Sequence, residues 1–219
     1  VVGAVSLSGL GMLFTQQLVR TGGGLLLPTL LLAAFASLIL SFGLPTTSVY
    51  IITATLVAPG LVAVGLPPLV AHLFCYYWGG VSAITPPVAL AVYVGAGIAG
   101  ANVMKSGFMA MRLGIAAYIV PFYFAYWPAL VTRADATFSQ IALAIVGGII
   151  TIFALAVVSE RFFLRKVPLY KMGLMVIVPI FIMYPNAMTH VIALGITAFV
   201  VITEVIVFRK KGSDEALAT

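Results

Sequence analysis

The sequence predicts an all-α, polytopic membrane fold, on three observations. Hydrophobic residues make up 63% of the 219 and charged residues only 7%, against about 45–50% and 25% in soluble domains. Mean hydropathy is +1.23. The few charges cluster, leaving apolar stretches of about 20 residues, the length that crosses roughly 30 Å of hydrocarbon as a helix. A soluble fold of this length could not hide that much apolar surface.

The formal net charge of +6 does not point to nucleic acid. The basic residues punctuate the ends of apolar runs and form no stripe, so they read as topology signals. The single cysteine, Cys75, lies within an apolar run, which leaves neither a disulfide framework nor a thiolate metal site. The chain starts at Val1 without an initiator Met or a basic leader and is apolar through Leu13, so the expectation is a fragment of a longer protein.

Apolar stretches run over 1–18, 25–42, 49–64, 69–99, 114–131, 138–158 and 172–208. Gly43 and Pro45 interrupt 25–64, and Pro86-Pro87 interrupts 69–99. Proline lacks an amide donor and restricts the residue before it, so both stretches contain non-helical backbone. Either two full spans or a re-entrant hairpin fits 25–64. The hairpin is favoured, because Gly43, Pro45, Thr46, Thr47 and Ser48 are more useful inside a cavity than in a water-facing loop.

Loop charges set the orientation, since short cytoplasmic loops collect Lys and Arg. Segment 159–171 carries Arg161, Arg165, Lys166 and Lys171 against Glu160, and 209–211 is Arg-Lys-Lys; both belong inside. Arg133 balanced by Asp135 suits the outside, and alternation returns Lys105 and Arg112 to the inside. Asn102 is expected to cap a short interfacial helix over 102–113, with Met104, Phe108 and Met111 on one face. Residues 65–68 then fall outside, and 69–99 crosses inward once, broken midway. Segment 172–208 passes out and back near Tyr184-Pro185-Asn186, or dips as a re-entrant arm.

The chemistry is expected at two helix-breaking motifs, GLPTTS at 43–48 and SAITPP at 82–87. A broken helix in lipid leaves carbonyls and amides that protein, water or ligand must satisfy. Free carbonyls beside hydroxyls suit a hard cation such as sodium, and free amides at a helix N-terminus suit an anion. Ser82, Thr85 and the backbone around Ile84 fit the first role, with Thr46, Thr47 and Ser48 joining from the facing bend. In the plainer alternative the prolines only kink the helices, and the hydroxyls bond back to carbonyls of the preceding turn.

The run Gly43-Leu44-Pro45-Thr46-Thr47 and the run Ile84-Thr85-Pro86-Pro87-Val88-Ala89-Leu90, in that order and spacing, resemble the C-terminal repeat of the large membrane subunit of TRAP transporters. The branch most resembled is the fused permease that works with TAXI-type binding proteins. The resemblance covers roughly residues 1–131, and 132–219 resembles only loosely a C-terminal transmembrane extension of that branch. It implies an elevator-type secondary transporter in a bacterial or archaeal inner membrane. Such a transporter takes an organic anion, expected to be a carboxylate, from a periplasmic substrate-binding protein and is driven by sodium as coupling ion. On this resemblance Gly43, Thr46, Thr47, Ser82, Ile84 and Thr85 belong to a sodium site, and Pro45, Ser48, Pro86 and Pro87 to the substrate beside it. The family fold needs two inverted repeats, and one is present here. The N-terminal half and a small-subunit-like region are therefore expected elsewhere as partners.

Other polar residues have plainer readings. His72 is expected to bond a carbonyl or water at a helix end, His190 to be structural near a turn, and Glu204 to be compensated by the 209–211 cluster. Trp127 reads as an interface belt residue, and Gly79 and Gly80 as sites of close backbone approach. Two other function classes compete: an intramembrane hydrolase using Ser82 or Ser8 with His72, for which no recognised nucleophile or HExxH motif exists, and a passive scaffold subunit. No enzyme activity is expected.

Overall fold

The computed structural model describes residues 8–132, 137–184 and 186–217, with the backbone alone at Ala187 and over 210–217. Arg133, Asp135 and Pro185, used above as outer-loop markers, lie outside the described residues, as do the side chains of Lys210 and Lys211. The chain divides into two compact units, 1–136 and 137–219.

The first unit opens with α1 (Leu10–Thr21), which ends where Gly23 and Gly24 take positive φ. Gly22 lets the next helix close in: a Cβ there would collide with Thr29. Helix α2 (Leu26–Leu40) follows, then the bend at 41–45, then α3 (Thr46–Leu56) and the short α4 (Ala58–Ala63). Pro59 causes the kink between the last two. It cannot continue the ladder, so the Gly60 amide bonds to Val57 at 3.0 Å, and the Leu56 carbonyl accepts from Thr15 of α1 at 3.2 Å.

Helix α5 (Pro68–Val81) is the axis of this unit, and Val70, Ala71, Phe74 and Cys75 on it are fully buried. It passes through a single 3-10 turn, Ser82–Ile84, before α6 (Leu90–Ile98). Helix α7 (Val103–Leu113) starts at the expected Asn102 cap, whose side chain accepts from the Lys105 amide at 3.0 Å. Only Gly114 separates α7 from α8 (Ile115–Tyr126), and together they make a 24-residue apolar run long enough to cross a membrane. The expected boundary between an interfacial helix at 102–113 and a separate span is thus not sharp. Helix α8 also stops at Tyr126, short of Val131, because Pro128 diverts the chain into a 3-10 turn. Its aromatic face docks on α5 through edge-on pairs, Phe74 with Phe122 at 5.4 Å and Trp78 with Tyr118 at 5.7 Å between ring centres.

The second unit holds α9 (Phe138–Glu160), a tight antiparallel ladder of β1 (Phe162–Phe163) and β2 (Arg165–Lys166), α10 (Leu169–Met183) and α11 (Ala187–Leu217). Thr137 and Gln140 start α9 with a reciprocal capping box. Asn186 begins α11, its side chain accepting from the Met188 amide at 3.0 Å. Phe138–Glu160 and Met188–Arg209 are long and apolar enough to span a membrane. With the α7 to α8 run, the described residues hold three such helices, and the protein is a multi-pass membrane protein.

Candidate functional site

Local chemistry shapes the bend. The Ser41 hydroxyl donates to Leu38 at 2.7 Å, the Leu44 amide returns to Ser41 at 3.3 Å, and Gly43 between them has φ +76°. Pro45 then sets the extended backbone from which α3 starts, and no side chain caps that start. The first amides of α3, at Thr46, Thr47 and Ser48, therefore carry the positive end of the helix dipole without an internal acceptor. Space around a Cβ at residue 43 is open, so Gly43→Ala reports the backbone alone. It should destabilise the chain by about 1–2 kcal/mol in a thermal melt, and Gly43→Asn by less, since Asn tolerates this region better.

The break after α5 satisfies most of its own backbone. Ser82 Oγ donates to Gly79 at 2.7 Å and Thr85 Oγ1 to Val81 at 2.6 Å. The Thr85 amide donates to Ser82 at 3.1 Å and the Ala89 amide to Thr85 at 3.0 Å. Pro86-Pro87 is a cis peptide, and the Pro87 carbonyl accepts from the Tyr93 hydroxyl at 2.5 Å. Ala89, fully buried, has φ +32°, a left-handed conformation that costs a residue with a Cβ about 1–2 kcal/mol. The returning helix is pressed onto the break at two glycines: a Cβ at Gly107 would lie 2.7 Å from Pro86 Cγ, and one at Gly114 2.6 Å from Ile84 Cδ1. The back-bonding considered above is thus present at both hydroxyls. A carbonyl and a hydroxyl each keep a second lone pair, so these oxygens can still face a cation.

Bend and break share a cleft of about 290 Å³, lined by Thr46, Tyr76, Tyr77, Gly80, Val81, Ile84 and Ala117. Of the residues singled out from sequence, Thr46 and Ile84 meet there. Ser82 and Thr85 are buried, whereas Gly43, Pro45, Thr47 and Pro87 are exposed, Ser48 is half-buried, and Pro86 packs on α7.

The family model of the Tripartite ATP-independent periplasmic transporter, DctM component, matches residues 1–137. The chain belongs to this family. Comparison with curated proteins and with solved structures gives no match. It is therefore a TRAP transporter membrane permease component, of a transporter family and no enzyme class, and the family implies a periplasmic binding protein as partner.

Within the family-matched segment, sequence reasoning overlooked two groups. Tyr118 lies 2.5 Å from Thr85 Oγ1; since the one threonine proton goes to Val81, Tyr118 is the donor. Its only signal in the sequence is a hydroxyl-bearing ring in an apolar helix. Pro121 removes the helical donor to the Ala117 carbonyl, adding an acceptor beside the cleft.

The expectations for the remaining residues divide. His72 pairs through Nδ1 with the Tyr50 hydroxyl at 3.1 Å, joining α3 to α5, a side-chain partner that the expectation of a carbonyl or water did not include. With Ser82 committed to Gly79, the serine and histidine of a hydrolase pair are occupied separately. Gly79 is a close-approach site, its Cβ position lying 2.5 Å from Val49 Cγ1, but Gly80 has open space and lines the cleft. Trp127, expected at an interface belt, is 6% exposed and belongs to the core. His190 is structural near the turn, its Nδ1 lying 3.1 Å from the Asn186 carbonyl.

Proposed function

We propose that this chain forms half of the moving core of a sodium-coupled secondary transporter for organic anions, carboxylates foremost. The observation that carries the reading is the shared cleft, where Thr46 at the amide end of α3 faces Ile84 at the break of α5. The free amides of the α3 end suit an anion, and the hydroxyls of both motifs with the carbonyls of the break suit a hard cation beside it. Sodium is assigned to Gly43, Thr46, Thr47, Ser82, Ile84 and Thr85, and the substrate to Pro45, Ser48, Pro86 and Pro87. Segment 25–64 acts as a re-entrant hairpin and 69–99 as a broken helix. The arms α2 and α3, at 15 and 11 residues, are shorter than the roughly 20 a span requires, which supports the hairpin.

The transporter works in the cytoplasmic membrane with a TAXI-type periplasmic binding protein. A second hairpin and broken helix, from another part of the permease, complete the site. Tyr76 and Tyr77, 50% and 38% exposed at the cleft, are the surface that this second half covers.

The decisive residue is Thr85. Having donated to Val81 and accepted from Tyr118, Oγ1 keeps one lone pair for sodium. In proteoliposomes holding the complete permease and its binding protein, Thr85→Val should abolish sodium-dependent uptake while Thr85→Ser retains it. Tyr118→Phe should raise the sodium concentration needed by about 2–10-fold, the value of one hydrogen bond. Sodium dependence that survives in Thr85→Val overturns the assignment. Normal sodium-dependent stabilisation despite an altered GLPTTS bend would favour a scaffold role.

A further inference from the structure

The second unit lies outside the family match and has its own charged centre. Glu204 on α11 is fully buried. Lys171 of α10, 3% exposed, donates to it and to Thr203, both at 2.7 Å. Arg165 of β2 approaches the same carboxylate with Nε at 2.5 Å and a terminal nitrogen at 3.3 Å. Among the described side chains its partners are these two cations, far away in sequence, while those of Lys210 and Lys211 in the expected 209–211 cluster lie outside the described residues. This cluster ties β2 and α10 to α11.

The ladder register decides which way the loop between α9 and α10 faces. Phe163 is opposite Arg165 and Phe162 opposite Lys166, and directly opposed residues share a face. The inner face is spoken for, with Arg165 on Glu204 and Phe163 edge-on to Phe153 at 5.3 Å. The outer face presents Phe162 and Lys166, with Arg161 and Leu164 beside them, both at positive φ. Phe162, Leu164, Leu169 and Tyr170 are 57%, 40%, 78% and 66% exposed, and Arg161, Lys166 and Arg209 are also exposed. Against these and the buried pair of cations stand two carboxylates, Glu160 and Glu204, so the region is net positive. Alternating aromatic and basic groups on a rigid turn at the end of a membrane helix match the layer where acyl chains give way to headgroups.

We propose that the 161–170 turn is a binding site for anionic phospholipid headgroups. Arg161 and Lys166 hold the phosphate, and Phe162, Leu164 and Leu169 enter the acyl boundary. The partner is a lipid because exposed cations and exposed apolar side chains adjoin one another within a single turn; a free anion would use only the cations.

The test is native mass spectrometry of the full detergent-solubilised chain titrated with phosphatidylglycerol or phosphatidylcholine. Each interfacial Lys or Arg contributes roughly a fivefold preference for an anionic lipid. Arg161→Gln with Lys166→Gln should therefore weaken phosphatidylglycerol binding by about 20–30-fold. If helix content falls in the double variant, Lys166→Gln alone, at an exposed position, reads the same effect as about fivefold. Phe162→Ser should weaken binding as well. Equal binding of phosphatidylcholine, no loss in the basic variants, or displacement of the lipid by millimolar inorganic phosphate would each overturn the proposal. No readout involves sodium or uptake, so this result is independent of the transport reading.

Discussion

Gly79→Ala should destabilise the protein by about 1–3 kcal/mol and depress uptake. The added Cβ would sit 2.5 Å from Val49 Cγ1 and 3.6 Å from its Cβ. Val49 is 1% exposed and held on α3, so it has nowhere to rotate. Relief requires α3 to move off α5, and that movement carries Thr46 away from Ile84 across the cleft. A larger residue such as leucine should prevent folding altogether. Val49→Ala removes the clashing methyl, and the double variant Gly79→Ala with Val49→Ala should recover most of the lost thermal stability. A double-mutant cycle read from thermal melts checks this: additive losses would show that the two residues do not meet as described.

Glu204→Leu should cost about 3 kcal/mol in a thermal melt. Removing the carboxylate leaves the Lys171 ammonium, 3% exposed, with Thr203 as its remaining hydrogen-bond partner among the described residues, and breaking one side of a buried pair costs about 3–5 kcal/mol. The lower end applies because Arg165, 36% exposed, turns to water when released. Lys171→Met together with Glu204→Leu should regain most of the stability, since well-packed apolar replacements of a buried pair are often neutral. A double variant as unstable as Glu204→Leu alone would show that the cluster contributes through packing and not through charge.

These two sites differ in how far the sequence reveals them. Gly79 could be anticipated because a glycine in an apolar helix signals close approach, although nothing local separates it from Gly80, which faces the cleft. The bend at Gly43-Pro45 and the break at Pro86-Pro87 are legible for the same kind of reason: missing amides and positive φ are properties of the residue itself. So is the Asn102 cap. Pairings between distant side chains are not. Glu204 lies five residues from Arg209, yet its partners are 33 and 39 residues away, because α10 and the ladder, packed beside α11, reach it from the side. Tyr50 with His72 and Tyr118 with Thr85 likewise depend on helix packing. Trp127 was misplaced because a tryptophan near a helix end suits a belt or a core equally, and only its neighbours decide.

The capping box at Thr137 and Gln140 coincides with two other boundaries. The family match ends at residue 137 and the first compact unit at 136. A helix that carries its own start signal needs no instruction from the chain before it. The α9 to α11 unit therefore begins with its own helix start signal at the residue where the family match stops, so that boundary falls between two compact units and not inside a helix.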